Sequence, residues 1–396
     1  MMTNLKEYLL KTLELQKGIV FASKPTFVCR GNYSGRDIIA KNSEFSEDFV
    51  DERGYVPVEL WLMSLVEAEN PEKKEGEGLT SISLIEGEVT LKQISDVAEE
   101  ELFGVWKTSW PLTKILDIGG VPKKTSFSDQ KEVPAISPHI HGGNIVDGVA
   151  IKPGKIEAYF FPPLNVGPYN REIGRTISRL GFKSGVTKEI FKETLRHFGK
   201  DDSMYELLEP HIVKPYSGWT MPAGTIHSPG PWVTFEVQLP QDDFNNVGWK
   251  FEDRIPEANW EEEYNKLVLR GLKDEDDLIN QVLDWDVSTD PNFKDHYQRE
   301  IKIIEEGDFG RRFQIFFDQF YGEGWEINSG KSLTINAKEK PIAGLVWSGN
   351  GSLNDNQVSV DKNREFFIVP QTSITLENNG SEKLIMFTVE PIGGLK

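Results

Sequence analysis

A mainly β chain with helical insertions, arranged as two barrels and a small helical region, is predicted by three features of the sequence. Short runs rich in aromatic and β-branched residues, broken by Gly and Pro, begin at Pro138 and return near Gly307. Segments with helical spacing lie at the N-terminus and between those two blocks. The 396 residues suffice for roughly two to three domains. With 38% hydrophobic and 11% aromatic residues, the chain can bury cores of that number.

The elements follow in order. "MMTNLKEYLLKTLELQKGIV" alternates charge with Leu and reads as an amphipathic helix. "PVELWLMSLVEA" begins as a strand, and "ENPEKKEGEG" is a solvated loop. "TLKQISDVAEEELFG" places Leu91, Ile94, Val97 and Leu102 near one helical face, with Thr90 able to cap its start. "KIEAYFF", "WTMPAGTIH" and "WVTFEVQL" read as strands of a barrel or sandwich. Between them "VTKEIFKETLRHFG" is a helix with Val186, Ile190, Leu195 and Phe198 on one side and Gly199 as its stop. An acidic helical stretch from Trp260 to Trp285 follows. Six short strands, from "RRFQIFFDQF" to "KLIMFTVEP", then close the chain in a block without histidine.

Charge and cysteine content exclude several functions. A net charge of -19 argues against nucleic acid and anionic membrane surfaces as partners. The single cysteine, Cys29, excludes an internal disulfide and a thiolate-based zinc site. The N-terminus lacks the unbroken apolar core of a signal peptide, and no stretch reaches membrane-span length. A soluble cytoplasmic protein is expected.

The chain has six histidines, and two of them stand one residue apart in "SPHIHGG". Residues two apart on a strand share a face. His139 and His141 therefore point together into a barrel cavity. Glu157 heads a following strand, and His227 follows a Pro-Ala-Gly turn. Three imidazoles and a carboxylate suit Zn, Mn, Fe, Ni or Co, with coordination positions left for a substrate oxygen. His197, His211 and His296 read as ordinary hydrogen-bonded side chains. Trp219, Trp232 and Tyr159 are either barrel core or stacking surfaces for a sugar ring.

"HIH", "KIEAYFF" and "PAGTIH" form the paired signature of a cupin barrel. Together with "ELWLMS", "GEVTLKQI", "WPLTKILD", "GFKSGVTKEIF" and "QDDFNNVGW", in that family's order, they resemble type I mannose-6-phosphate isomerases. The later strands resemble that family's second, metal-free cupin domain. The resemblance implies an N-terminal metal-binding cupin domain over 1–162 and 216–250 and a helical insert over 163–215. It implies a helical linker over 251–306 and a C-terminal cupin (jelly-roll) barrel over 307–396.

It also implies roles. One divalent metal, zinc first and manganese, iron, cobalt or nickel as alternatives, is held by His139, His141, Glu157 and His227. His139 stands where the family has Gln, and the stronger donor shifts metal preference. Lys155 and Glu236 match catalytic positions, and Lys114 matches a substrate-binding one. Glu236 is either the proton-transferring base or a carboxylate steadying a ligand histidine. Lys155 holds the enediolate oxygen, or is a plain surface lysine. Asn246 stands where the family has an active-site Arg, so Lys250 or Arg254 would have to supply the missing charge.

The function implied is aldose–ketose isomerisation of a sugar phosphate, of the mannose 6-phosphate/fructose 6-phosphate type, through an enediol. The alternatives are an isomerase of an unphosphorylated sugar, a cupin dioxygenase and a non-catalytic sugar-binding cupin. A monomer or homodimer with a small-molecule sugar or sugar phosphate as its ligand is expected.

Overall fold

The computed structural model describes residues 4–31, 49–117, 136–146, 149–152, 154–163, 177–230, 233–242, 244–248 and 257–393. Lys250, Arg254 and Trp232 lie outside them.

Four antiparallel sheets form two cupin barrels. The first barrel has a seven-stranded sheet in the order Gln298–Glu300, Ser217–Met221, Glu157–Phe160, Thr234–Gln238, Leu112–Leu116, Val56–Leu62, Thr26–Arg30. Its second sheet runs Leu208–Ile212, Ile177–Phe182, Ile226–Ser228, His139–Ile140, Asn245–Asn246. The second barrel pairs another seven-stranded sheet, centred on Ile342–Ser348 and Leu384–Val389, with a four-stranded sheet in the order Ser332–Ala337, Thr372–Asn378, Asn350–Leu353, Asn356–Ser359.

Side-chain alternation explains how the parts stack. On the central strands of the first barrel, Leu60, Ile115, Phe160, Phe235 and Val237 point one way. They meet Phe313, Ile315, Leu345, Trp347 and Phe387 of the second barrel in one shared core. The two seven-stranded sheets thus pack back to back. The intervening residues, Glu59, Lys114, Glu157 and Glu236, necessarily point the other way, into the first barrel. A buried strand with charges on its inner face is unusual, and that face is where chemistry is to be sought. The second barrel's own interior is apolar, with Trp325, Val346, Phe366 and Met386.

The helices follow the predicted pattern with differences. The N-terminal helix spans Leu5–Leu15. The segment after Thr90 splits into Leu91–Ser95, started by a Thr90/Gln93 capping box, and Glu99–Phe103. Val97 falls in the break and is partly exposed instead of packing. The insert helix spans only Lys188–Leu195 and buries Phe191 and Leu195. Val186, Leu195 and Phe198 of the predicted stripe pack into one core cluster, whereas Ile190 faces out and Phe191 takes its place. Gly199 adopts φ 72°, as a helix stop requires.

Three segments depart from the predicted partition. The insert 163–215 contributes two strands, Ile177–Phe182 and Leu208–Ile212, to the first barrel. A bulge between Arg179 and Phe182 breaks the alternation that would have revealed them. The linker 251–306 contributes Gln298–Glu300 to one barrel and Lys302–Gly307 to the other. All six residues of Lys302–Gly307 are exposed, so no inside–outside pattern marks it as a strand. Ile19–Phe21, near the N-terminus, pairs with Glu365–Ile368 of the second barrel.

Glu365 carries a stability prediction. It stands opposite Leu345, facing the shared core, with 2% exposure. Neither carboxylate oxygen has a hydrogen-bond partner among the described residues. Burial raises its pKa from 4.5 to about 8. A folded-state value raised in this way leaves the group's contribution intact below the unfolded pKa. That contribution is then lost as pH climbs from about 4.5 towards 8. Glu365→Gln is therefore expected to stabilise the fold by a few kcal/mol at pH 9, on the order set by ~1.4 kcal/mol per unit. Near pH 5 it should change little. Urea midpoints at the two pH values check this, and equal shifts at both would contradict it.

Candidate metal centre and its cavity

Three loops and strands bring the histidines together. His139 opens the short strand His139–Ile140 and pairs with both His227 and Asn246. His141 follows two residues on, sharing that face. His227 sits in Ile226–Ser228, just after the Pro-Ala-Gly turn. Gly224 in that turn has φ 76°, and a Cβ there would lie 2.8 Å from the Asp284 nitrogen and the Val282 oxygen. Only glycine lets the turn seat against that backbone and aim His227 inward.

One ligand atom from each of His139, His141 and His227 lies within 4.8 Å of the others. Glu157 reaches across from the opposite sheet. Its Oε1 lies 2.9 Å from His227 Nε2 and its Oε2 3.4 Å from His141 Nε2. All four residues are buried.

Hydrogen bonds to the backbone fix the imidazole tautomers. His139 Nδ1 lies 2.7 Å from the Ser137 carbonyl and His227 Nδ1 2.8 Å from the Thr225 carbonyl. A carbonyl only accepts, so each Nδ1 donates and each Nε2 carries a lone pair when the ring is neutral. Burial first, then His227 for His139 and Lys155 for His141, hold both these rings well below their usual pKa. Burial alone would raise Glu157. Lys155, His141 and His227 outweigh it and keep the carboxyl well below the usual range. Among the described residues, His227 Nε2 is buried without a hydrogen bond, although Glu157 Oε1 stands 2.9 Å away. A lone pair facing a carboxylate at that distance repels it unless a cation or proton lies between. The donor set therefore fits a divalent metal: nitrogen-rich, buried, oriented by carbonyls behind it and completed by one anionic oxygen.

Charged residues surround this group. Lys155 Nζ lies 3.2 Å from Glu157 Oε2 and 3.1 Å from Gln238 Oε1. Tyr159 donates its hydroxyl to Glu157 Oε1. Lys114 bridges two acids, at 3.3 Å from Glu236 Oε1 and 3.6 Å from Glu59 Oε2. The Glu236 contact is ionic, for that oxygen forms no hydrogen bond among the described residues. Burial raises Glu236 to about 8 against the pull of Lys114. Glu59 goes the other way, to about 2, because Arg30 and Lys114 outweigh its burial. Burial would lower Lys114, but Glu236 and Glu59 leave it raised.

The cavity beside the histidines has a volume of about 390 Å³. Its wall includes His139, His141, Lys155, Glu157, Lys114 and Glu236. Asn246 also lines it, but as a strut: with its amide oriented to satisfy both ends, its nitrogen donates to the carbonyls of Pro138 (3.1 Å) and Gly248 (2.8 Å). It braces the turn that carries His139 and brings no charge. His197, His211 and His296 lie elsewhere, hydrogen-bonded to Asp201, the Leu180 carbonyl and Asp290. Trp219 is core, packed with Phe293 and Met221.

Four neighbours of the site escaped sequence reasoning: Arg30, Glu59, Gln238 and Asp242. Arg30 Nε donates to Glu59 Oε1 at 2.7 Å, and its Nη2 lies 2.9 Å from both oxygens of Asp242. The one available signal was Glu59 itself, a charge inside the apolar run "VPVELWL".

The chain matches no protein-family model and no curated protein. Its fold is similar to that of solved structures. The mannose 6-phosphate isomerase from Bacillus subtilis is 16% identical over 93% of this chain and 99% of its own, with a TM-score of 0.54. A mutant of phosphomannose isomerase from Salmonella typhimurium is 11% identical over 95% and 100%, at 0.58. A zinc-bound mannose 6-phosphate isomerase is 11% identical over 95% and 100%, at 0.53. These likenesses span both barrels and establish the double-cupin fold.

Proposed function

We propose that this protein is a metal-dependent aldose–ketose isomerase working through an enediol, with zinc as the first metal to test. The observation that carries this reading is the convergence of His139, His141, His227 and Glu157 beside a cavity that also holds Lys155 and Glu236. A similar fold in zinc-bound mannose 6-phosphate isomerase supports it.

A divalent metal held by these four residues would polarise the carbonyl and hydroxyl oxygens at the first two carbons of an open-chain sugar. The rest falls to the chain. Glu236, when ionised, takes the proton from carbon two and returns it to carbon one. Lys114 holds that carboxylate in place. Lys155 donates to the oxygen on which enediolate charge develops. Asn246 shapes the wall, and Lys250 would be a substrate contact. The three-histidine, one-carboxylate set also suits oxygen chemistry, so the test includes an oxygen readout.

The purified full chain, stripped with a chelator and reloaded with Zn, Mn, Fe or Co, is assayed on fructose 6-phosphate/mannose 6-phosphate and on free ketose/aldose pairs. Isomerisation that needs added metal and consumes no oxygen is expected. Stripping should lower the rate at least ~10³-fold, since the Lewis acid is worth several kcal/mol. Failure to interconvert any aldose–ketose pair with any metal would sink the reading.

A further inference from the structure

We infer that the cavity takes an unphosphorylated sugar, a neutral hydroxyl-rich aldose or ketose, in preference to its phosphate ester. This rests on the reading above for the cavity's identity as a sugar site, and deepens it.

Charge is the first argument. Among the described residues, seven acids and four bases line the cavity. Three of those bases are already engaged. Lys114 sits between Glu59 and Glu236, and Lys155 between Glu157 and Gln238. Arg30 is the most fully occupied. Its Nε goes to Glu59, its Nη1 to the Asn70 side chain at 3.1 Å, and its Nη2 to Asp242. The fourth base, Lys266, is exposed at the rim, where Glu263 also stands.

A phosphate monoester carries close to two negative charges near neutral pH. Proteins hold it with an open guanidinium fork, free lysines or helix N-termini. Among the described residues that line the cavity, the one buried guanidinium fork is filled by two carboxylates. A phosphate reaching it must displace Asp242 or Glu59 and leave a buried acid unpaired, which costs more than the new contact returns. The approach is unfavourable too, past exposed Glu69 and Glu72 on a chain of net charge -19. Charge on a metal held at the histidines serves the reacting carbons and not the far end of the sugar.

Neutral hydroxyls meet the opposite situation. Each is a donor, and the wall is rich in carboxylate acceptors. Tyr55 and Phe244 add aromatic faces on which the C–H face of a sugar can lie. The same wall that repels an ester thus offers a polyol its hydrogen bonds.

The test measures binding independently of turnover. The zinc-loaded full chain is titrated calorimetrically with sorbitol and with sorbitol 6-phosphate, polyols that cannot isomerise. Sorbitol is expected to bind at least tenfold more tightly than its ester. Asp242→Asn, which removes the charge covering Arg30 and replaces one of the two accepting oxygens with a donor, is expected to narrow that ratio at least fivefold by improving ester binding. The wild-type comparison stands if the variant fails to fold. Tighter binding of the ester, or binding of neither polyol, overturns the inference. A clear preference for sorbitol in a protein that isomerises nothing would overturn the isomerase reading and leave this one standing.

Discussion

Glu157→Gln is expected to empty the metal centre, with bound zinc falling from one per chain to trace levels after dialysis and kcat/KM falling at least ~10³-fold. The substitution keeps shape and a carbonyl oxygen but removes the only negative charge among the four proposed ligands. Its neighbours show how much rests on that charge. Lys155 lies 3.2 Å from Glu157, and Tyr159 donates to it. Without the carboxylate, a dication would face three neutral imidazoles and an ammonium group. Elemental analysis of the dialysed protein measures the metal directly, without reference to any substrate. His197→Gln is the matched control, because His197 is an exposed side chain hydrogen-bonded to Asp201 and should leave metal and rate unchanged. A Glu157→Gln protein that keeps stoichiometric zinc would remove this residue from the centre.

The residues of that centre were legible because each carries a local signal. Two imidazoles at a spacing of two on a strand must share a face, and a Pro-Ala-Gly turn before a third announces a constrained loop. Glu157 stood out as an acid heading an aromatic run. Arg30 and Asp242 carried no such mark. They stand 212 positions apart, and nothing about an Arg ending one strand says that an Asp after another will cover it. Their pairing follows only from the sheet order, which places Thr26–Arg30 at the edge beside Val56–Leu62.

The same limit applied to the fold. Alternating strands such as Thr234–Gln238 were readable because one face is aliphatic and aromatic and the other polar. Lys302–Gly307, with every residue exposed, offered no contrast to read. The association of Ile19–Phe21 with the second barrel depends on pairing with Glu365–Ile368, far along the chain. Periodicity reports burial around a residue and says nothing of the partner strand.

Glu236→Gln is expected to lower kcat by ~10²–10⁴, the usual worth of a positioned general base, while leaving zinc content unchanged. The pH profile separates a base from a carboxylate that merely steadies a histidine. Burial raises Glu236 to about 8 and Lys114 opposes that rise. Only the ionised form can take a proton, so activity is low below the pKa and climbs to a plateau above it. A bound dication favours the ionised form and moves the midpoint down, so about 8 is the upper bound for this ascending limb. In Glu236→Gln the limb should vanish along with most of the rate. In Lys114→Met it should survive and move to higher pH, because the cation that favours the carboxylate is gone. A steadying role predicts otherwise: Glu236→Gln would weaken metal binding, and whatever activity remained would keep the wild-type limb. Loss of zinc with an unshifted profile would therefore take the proton-transfer role away from Glu236.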